Sequence, residues 1–465
     1  MSPTLETEIF NLVIPRNDNS EVLLKPSNGN YSLPQIEIPK RRRIAEFLTK
    51  RVKEMWGVDA ICLFDPIWED GGIRFDRPLN YQVLALRDAA GKPPAQLEWV
   101  KRSLIVTDTL ASAAQLQALE RSLYLADSFN SGTRPGPFAN AGWLEDLVAW
   151  MEPHLRPLGL ALTGSFKQLN ASPFFNLIRF ETDGVAVWFK AVGEPNVREY
   201  EITKQLGENH SQYLPRIIGT RPEWHGWLML EADGRSPDHN TPLGQWQRVA
   251  KTFARLQIEC IGNAAHLLEV GCKDLRVATL IQRIDLFVER MNELMQEQPV
   301  EPPRRLTRFE LSELGNKLKD ACHCMQQAGL PDSLFHGDFN PGNVRLSAER
   351  CVFLDWAEGC LGPPFLTLEY LIEFLRKVGL GLPEHEQHLR RSYARCWGAV
   401  ASPAQISEAM QFAPSLAVFS YAVSSAAWES PELTREIRIA KYLRSLTRRL
   451  CKELERLRRP ELCLR

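Results

Sequence analysis

The string HGDFNPGN at residues 336–343, with Asp355-Trp356 twelve residues beyond it, constrains this chain more than any other segment. It combines an aspartate, an asparagine five residues later and a second aspartate with several residues that favour turns. Apolar runs on both sides of residues 347–350 predict a two-stranded hairpin between the asparagine and the second aspartate. We therefore expect a loop at Asp338 that leads directly into a hairpin.

This hairpin predicts where a cation could bind. If it is centred on Glu349, Asn343 lies opposite Asp355, and directly paired residues on one sheet face are about 5 Å apart. An amide oxygen and a carboxylate at that spacing can share a hard cation such as Mg²⁺. Asp338 lies on the loop just before and can face a substrate hydroxyl. A catalytic aspartate, a metal-binding asparagine and a metal-binding aspartate in this order are the arrangement found in kinases.

The segments HGDFNPGNVRL and VFLDWAEG resemble the aminoglycoside phosphotransferase and choline kinase family, whose catalytic core is similar to that of protein kinases. The resemblance implies a bilobal α+β domain over residues 141–465, with a small β-rich lobe up to about residue 235 and a large helical lobe after it. It also implies ATP-dependent transfer of the γ-phosphoryl group to a hydroxyl of a small molecule. Residues 362–365, GPPF, depart from the pattern because they lack the acidic residue that many members have there.

A lysine that could hold the nucleotide phosphates lies upstream. Residues 175–180 and 185–190 predict two strands joined by a turn, and the second strand ends in Lys190. A lysine at the end of a rigid strand supplies the cation that phosphoryl transfer needs. An acidic partner must hold this lysine in position. Glu199, at the start of a helical stretch, is the better candidate, and Glu201 is the alternative.

Two further segments are candidates for nucleotide contacts. By position, residues 162–173 would form the loop that covers the phosphates, although they contain neither a Gly-x-Gly-x-x-Gly nor a Walker-type motif. In the family, the strand that corresponds to residues 226–234 links the two lobes, and its backbone groups form hydrogen bonds with the edge of the adenine ring. The resemblance therefore implies this role for the backbone groups of Glu231 and Ala232.

Residues 1–130, the first module, do not follow the kinase pattern. Residues 8–65 resemble a Nudix domain, in which a strand and a Leu-Pro turn precede a helix that ends in a Glu-rich box and a glycine. Only Glu54 remains of the metal-binding acids in that box, and one carboxylate holds Mg²⁺ too weakly for pyrophosphate hydrolysis. An unrelated α+β domain is the alternative, and in either case we expect a non-catalytic module. Residues 131–140, SGTRPGPFAN, predict a linker that few contacts cross.

The composition predicts a multidomain globular protein of the cytoplasm. The chain has 465 residues, too many for one typical core, and a net charge of −1 that favours neither nucleic acid nor an anionic membrane as partner. Ten cysteines without a regular framework favour a reducing compartment, and the amino terminus has no signal-peptide pattern. Residues 409–428 are uncharged and long enough to span a bilayer, but their proline, glutamine and four serines favour a buried helix.

The sequence therefore predicts an ATP- and Mg²⁺-dependent kinase for a small hydroxyl compound. Asp338 would be catalytic, Asn343 and Asp355 would bind the metal, and Lys190 with Glu199 would serve the nucleotide. Two alternatives remain open. One is a nucleotide-binding pseudokinase that regulates without turnover, and the other is an enzyme that transfers a nucleotidyl group. The residues predict neither the acceptor nor the oligomeric state.

Overall fold

Two compact units make up the chain in the computed structural model. The first unit comprises Met1–Tyr200 with Arg216–Glu231, and the second comprises Glu201–Pro215 with Ala232–Arg465. The described residues are 6–16, 18–27, 29–40, 42–64, 81–87, 92–106, 108–110, 112–130, 136–139 and 142–457. Every helix within these ranges is too short or too polar to cross a membrane.

The first unit is rich in strands. Its elements are β1 Thr7–Val13, β2 Glu21–Ser27, β3 Asn30–Ser32, β4 Gln35–Pro39, α1 Ile44–Trp56, β5 Ala60–Cys62, β6 Tyr81–Leu86, β7 Glu98–Lys101, α2 Ala113–Asn130, α3 Trp143–Leu155, β8 Leu162–Ala171, β9 Asn176–Thr182, β10 Val187–Ala191, the start of α4 Arg198–Asn209, β11 Ile217–Arg221 and β12 Gly226–Leu230. With the helical second unit, these strands confirm the predicted α+β class. The bilobal kinase-like arrangement stays a prediction.

An antiparallel five-stranded sheet carries the predicted lysine. Its strand order is β11-β12-β10-β9-β8, so β10 has a neighbour on each edge. The strands predicted at residues 175–180 and 185–190 are confirmed as β9 and β10. Lys190 pairs with Leu177 on one side and Trp227 on the other. Its backbone is therefore held from both edges of the strand.

The first module contains two small sheets and the helices α1 and α2. The sheets have strand orders β4-β1-β6-β5, with β1 antiparallel to β4 and parallel to β6, and β3-β2-β7. Helix α1 ends before Gly57, whose φ of 70° is a left-handed conformation that glycine adopts at little cost. Glu54 forms ion pairs with Arg51 (2.9 Å), which stands where the Nudix box has a glutamate, and with Lys50 (3.8 Å). The Nudix-like origin of this module stays a prediction.

One apolar core joins the first module to the five-stranded sheet. Its buried members include Val13, Val22, Leu24, Val83, Leu119 and Leu123 from the module, and Ile178, Phe180, Val187, Phe189 and Leu228 from the sheet. Phe138, near the end of the predicted linker, is fully buried with its ring centroid 5.2 Å from that of Trp224. Residues 131–135 and 140 of the linker lie outside the described residues. The linker composition did not predict this shared core.

A buried glutamine links the same two parts through hydrogen bonds. Gln168 on β8 accepts from the Cys62 N–H (2.7 Å) and donates to the Cys62 carbonyl (3.0 Å). Its amide also donates to the Asn176 side chain (3.1 Å). Cys62 ends β5, an edge strand, and the Gln168 amide occupies that edge as a neighbouring strand would. The buried backbone groups of Cys62 thereby obtain the partners that they need.

The second unit is mainly helical. Its elements after α4 are α5 Leu243–Glu259, α6 Ala264–Glu269, β13 Lys273–Asp274, α7 Val277–Gln296, α8 Arg308–Gln327, β14 Ser333–His336, β15 Val344–Leu346, β16 Cys351–Phe353, β17 Gly359–Gly362, α9 Leu366–Lys377, α10 Pro383–Trp397, α11 Pro403–Val423, α12 Pro431–Thr434 and α13 Ile437–Arg456. Most of α11 is buried, which confirms the prediction of a buried helix there. Strand β17 pairs with β13 and β14, and β15 pairs with β16.

Candidate active site

The loop after β14 presents Asp338 to solvent because the residues on both sides of it are anchored. The Gly337 N–H donates to the Glu358 carbonyl (2.9 Å), and a Cβ on Gly337 would come within 2.5 Å of that oxygen. No other residue type fits there without displacement of the backbone. Phe339 is buried, with its ring centroid 4.5 Å from that of Phe253. Asp338 between them is exposed.

Two asparagine amides hold the Asp338 carboxylate. The Asn340 side chain donates to Oδ1 (2.9 Å), and the Asn343 side chain donates to Oδ2 (3.0 Å) and to the Asp338 carbonyl (2.9 Å). The Asn340 amide oxygen accepts from the Gly342 N–H (2.8 Å), which fixes the orientation of that amide. Neutral donors orient a carboxylate without cancelling its charge. The arrangement therefore suits a group that orients or accepts a proton.

His336 connects this loop to the end of the neighbouring hairpin. Its Nδ1 accepts from the Asp338 N–H (3.2 Å), and its Nε2 lies 2.8 Å from the Leu354 carbonyl, to which it must donate. Burial lowers the pKa of His336, which keeps the imidazole neutral. A neutral ring with the proton on Nε2 satisfies both bonds at once.

The hairpin itself forms as predicted but with a different register. Strands β15 and β16 confirm the two predicted strands, yet their pairing puts Asn343 opposite Leu354, whose N–H donates to the Asn343 carbonyl (2.8 Å). The prediction that Asn343 lies opposite Asp355 is wrong by one residue. The hairpin closes over two residues, Ala348 and Glu349, and is not centred on Glu349 alone.

Asp355 has an unusual backbone conformation. Its φ of 62° and ψ of 71° are in the left-handed region, which costs a non-glycine residue about 1–3 kcal/mol. The next residue, Trp356, is buried with its ring centroid 4.7 Å from that of His336. Such conformations concentrate at functional sites. Asp355 is exposed, so the strained position carries an accessible carboxylate.

Asn343 and Asp355 have the donor atoms that Mg²⁺ prefers. The Asn343 amide nitrogen is used by Asp338, so its Oδ1 is the amide atom that can bind a cation. With the Asp355 carboxylate, the pair offers hard oxygen donors. Mg²⁺ commonly takes only one or two protein carboxylates or amides and completes its shell with water and substrate phosphates. The chemistry of the two side chains therefore fits this metal.

Lys190 and Glu199 form a buried ion pair within the first unit. The lysine Nζ lies 2.5 Å from the Glu199 Oε1, and the two residues are 8% and 1% exposed. The Trp227 ring lies 5.7 Å from the same ammonium group. Glu201, the alternative partner, is exposed, and its carboxylate lies 3.9 Å from Lys204. The structure thus brings Lys190 together with the better of its two predicted partners.

The predicted phosphate-covering loop is shorter than expected. Most of the segment 162–173 is strand β8, and the connection to β9 is confined to residues 172–175. The Ser172 hydroxyl accepts from the backbone N–H groups of Phe174 (3.3 Å) and Phe175 (2.9 Å). This hydroxyl therefore shapes a tight turn. The extent of the loop was wrong because apolar and polar residues alternate only weakly along β8.

The Glu231 N–H is committed to the five-stranded sheet. It donates to the Ala186 carbonyl (2.8 Å), while the Glu231 carboxylate accepts two bonds from Arg179 (2.7 and 2.9 Å). That N–H is therefore unsuited to the predicted adenine contact. The roles of the Glu231 carbonyl and of the Ala232 backbone stay predictions.

Residues 195–402 match the phosphotransferase enzyme family. This phosphotransferase region contains Glu199, Asp338, Asn343 and Asp355, whereas Lys190 precedes it. The expected phosphotransferase with an alcohol group as acceptor is confirmed at the level of this family. The Nudix-like segment lies outside the match. No curated protein matches the chain.

Several solved structures are similar to the chain at low sequence identity. A choline kinase from Cryptosporidium parvum is 10% identical, with a TM-score of 0.46 and coverage of 67% of this chain and 95% of its own. A choline/ethanolamine kinase family protein from Mesorhizobium loti is 14% identical (TM-score 0.43; 64% and 90% covered). A macrolide 2′-phosphotransferase from Brachybacterium faecium is 15% identical (TM-score 0.41; 68% and 99% covered).

A cleft of about 110 Å³ lies beside Asp338. We call it the Asp338 cleft. Helices α9, α11 and α13 supply most of its walls, including Glu369, Tyr370, Glu373, Phe374, Lys377, Val418, Tyr421, Tyr442, Leu446 and Arg449. It continues past Tyr421 and Tyr442 to a second part lined by Glu358, Ser424 and Arg438.

Sequence reasoning missed both the cleft residues and Asn340. The signal for Asn340 was its position two residues after Asp338, a spacing at which an Asn side chain readily bonds nearby backbone and side-chain groups. Glu369 and Glu373 are four residues apart on one helix, so they share a face. Their nearest cationic partners, Arg390 and Arg449, come from later helices, and no local pattern indicates that pairing.

Proposed function

We propose that this protein is a kinase that transfers the γ-phosphoryl group of ATP to a hydroxyl of a small molecule, with Mg²⁺ as cofactor. The observation that carries the proposal is the exposed Asp338 carboxylate, held by two asparagine amides at the edge of a cleft. The family match supports the reaction class. The buried Lys190–Glu199 pair supports a nucleotide-binding role for the first unit.

In this proposal Asp338 orients the acceptor hydroxyl and takes its proton. The hydroxyl oxygen forms a bond to the γ-phosphorus as the bond from that phosphorus to the β–γ bridging oxygen breaks. The electron pair of the broken bond leaves with ADP, and the proton passes from Asp338 to solvent. Asn340 and Asn343 keep the carboxylate in position throughout. General-base assistance of this kind contributes about 10²–10⁴-fold to turnover.

The remaining residues would bind the nucleotide. When bound, Mg²⁺ would neutralise the charge of the nucleotide phosphates. Asn343 and Asp355 would hold the ion, and Lys190, kept in place by Glu199, would bind the phosphates. The Ala232 backbone would contact the adenine edge.

Asp338→Asn tests the catalytic assignment. The change is nearly isosteric and removes only charge and basicity, so folding and the Michaelis constant for ATP should be retained. Turnover, measured as phosphorylated product by mass spectrometry across a panel of hydroxyl compounds, should fall about 10²–10⁴-fold. Near-normal turnover would refute the role.

Asp355→Ala tests the metal assignment. In this variant, Mg²⁺ should no longer enhance the thermal stabilisation of the protein by ATP.

The two alternative functions give different results in the same assays. A pseudokinase would show Mg²⁺- and Asp355-dependent stabilisation by ATP but no product in the wild-type protein. Nucleotidyl transfer would add a nucleotide-sized mass to the acceptor, whereas phosphoryl transfer adds only a phosphoryl-sized mass.

A further inference from the structure

The acids that line the Asp338 cleft on helix α9 are already neutralised. Glu369 is 7% exposed, and both of its carboxylate oxygens accept from Arg390 of α10 at 2.7 Å. The Glu373 carboxylate lies 2.7 Å from Arg449 of α13 and 3.6 Å from Lys377. The single negative charge of Glu373 is thus shared between two cations that line the cleft, Arg449 and Lys377. The positive charge of Lys377 is therefore only partly balanced.

The second part of the cleft also has more positive than negative side-chain charge. Its acid, Glu358, is hydrogen-bonded to the ammonium group of Lys273. Arg438, near the start of α13, lines the same part of the cleft and is exposed. Within the described ranges, its guanidinium has no carboxylate within ion-pair distance. Arg438 therefore faces the cleft as an uncompensated cation, on the same side as Asp338.

The wall between the two parts is aromatic. Tyr421 and Tyr442 are 42% and 46% exposed, and their ring centroids are 6.4 Å apart with an interplanar angle of 75°. The ring centroid of Tyr370 lies 5.5 Å from that of Tyr421, and the Tyr370 hydroxyl is hydrogen-bonded to the Ser420 hydroxyl (2.7 Å). Half-exposed rings of this kind offer apolar contact area to the carbon framework of a ligand. Apart from Asp338, no unpaired carboxylate in the described lining is available to attract a cationic ligand to them.

We propose that the acceptor is a hydroxyl compound that also carries an anionic group, a carboxylate or a phosphate. Arg438 binds that anionic group, Tyr421 and Tyr442 contact the uncharged framework, and the hydroxyl reaches Asp338. This inference rests on the proposed kinase function, because it names the acceptor class of the same site. It makes polycationic acceptors poor ligands, since they would meet Lys377, Arg438 and Arg449 with few free carboxylates.

Matched pairs of compounds test the proposal with the full-length protein and Mg²⁺-ATP. The pairs are glycerate with glycerol, glucose 6-phosphate with glucose, and choline with its uncharged isostere 3,3-dimethylbutanol. Thermal shift reports binding, and ADP release above the acceptor-free rate reports turnover. The anionic member of each of the first two pairs should bind more tightly than its neutral partner. Choline should show no advantage over its isostere.

Arg438→Met should weaken binding of the two anionic probes by roughly 10- to 100-fold, as expected for loss of a hydrogen bond to a charged group. Binding of Mg²⁺-ATP should be unchanged. Lys452→Met is the matched control, because it removes a charge from an exposed position of α13 that lines neither part of the cleft. Its binding of the anionic probes should equal that of the wild type.

Three outcomes decide the matter. Stabilisation by the anionic probes that depends on Arg438 supports the inference. Equal stabilisation of wild type and Arg438→Met by these probes, or a preference for choline over its isostere, overturns it while kinase activity stands. Absence of phosphorylated product with every compound, combined with Arg438-dependent binding of anions, contradicts the kinase function and leaves an anion-binding cleft.

Discussion

The hydrogen bonds to the Asp338 carboxylate join residues at most five positions apart, whereas those between Gln168 and Cys62 join residues 106 positions apart. The first network is exposed and shapes one loop. The second is fully buried and joins the first module to the five-stranded sheet. An exposed bond exchanges with water at little cost, but a buried donor or acceptor left unpaired costs about 1–3 kcal/mol. We therefore expect changes in the first network to alter activity and changes in the second to alter stability.

Removal of residues 1–137 should have the largest effect. It would strip from the shared core all its members in β1, β2, β6 and α2 and expose the apolar face of the sheet around Phe180 and Phe189. We expect residues 138–465 alone to be insoluble or to lack a cooperative melting transition, as measured by circular dichroism beside the full chain. A soluble fragment with a sharp transition would show that the linker separates independent domains.

Gln168→Leu should have an intermediate effect. Leucine fills similar space but leaves the Cys62 N–H and carbonyl without partners, at a cost of about 1–3 kcal/mol for each group. The free energy of unfolding, from urea titration, should fall accordingly. The control is Lys167→Ala, because its side chain is next in sequence and exposed. A loss no greater than that of the control would mean that water replaces the glutamine.

His336 should have the smallest effect, visible as a pH dependence. Burial holds the pKa of His336 below its ordinary value of 6.5, so the unfolded chain binds this proton at a higher pH than the folded one. The stability contribution is therefore present above about pH 6.5 and is lost as the pH falls toward the folded pKa. As the pH is lowered from about 7.5 to about 5.5, the melting temperature of His336→Gln should fall by less than that of the wild type. Parallel curves for the two proteins would contradict this.

The same contrast explains which features the sequence could predict. The strand that ends in Lys190, the helix that begins near Glu199 and the hairpin after Asn343 all depend on short-range patterns, and all three are found. The predicted register of that hairpin was wrong by one residue. The apolar runs on both sides are compatible with a hairpin centred on Glu349 alone and with one that turns over Ala348 and Glu349. Gln168 could not be predicted as the partner of Cys62, because its neighbours in sequence give no sign of a distant unpaired strand edge.

The acceptor side was unpredictable for a related reason. The charge of the Asp338 cleft depends on which cation meets Glu369 and which meets Glu373. Those cations, Arg390 and Arg449, are 21 and 76 positions away along the chain. Net composition shows nearly equal numbers of acids and bases, and only the folded pairing shows which side chains remain uncompensated.

The shared core of the first unit also has a consequence for synthesis of the protein. Strands β1, β2 and β6 leave the ribosome early, but the core that they enter is completed only by Leu228, about 140 residues after β6 ends. At typical elongation rates this interval lasts roughly 7 to 30 seconds. During that time the nascent chain must carry apolar strand faces whose final partners do not yet exist. We therefore expect the core of this unit to be completed only after Leu228 has been synthesised.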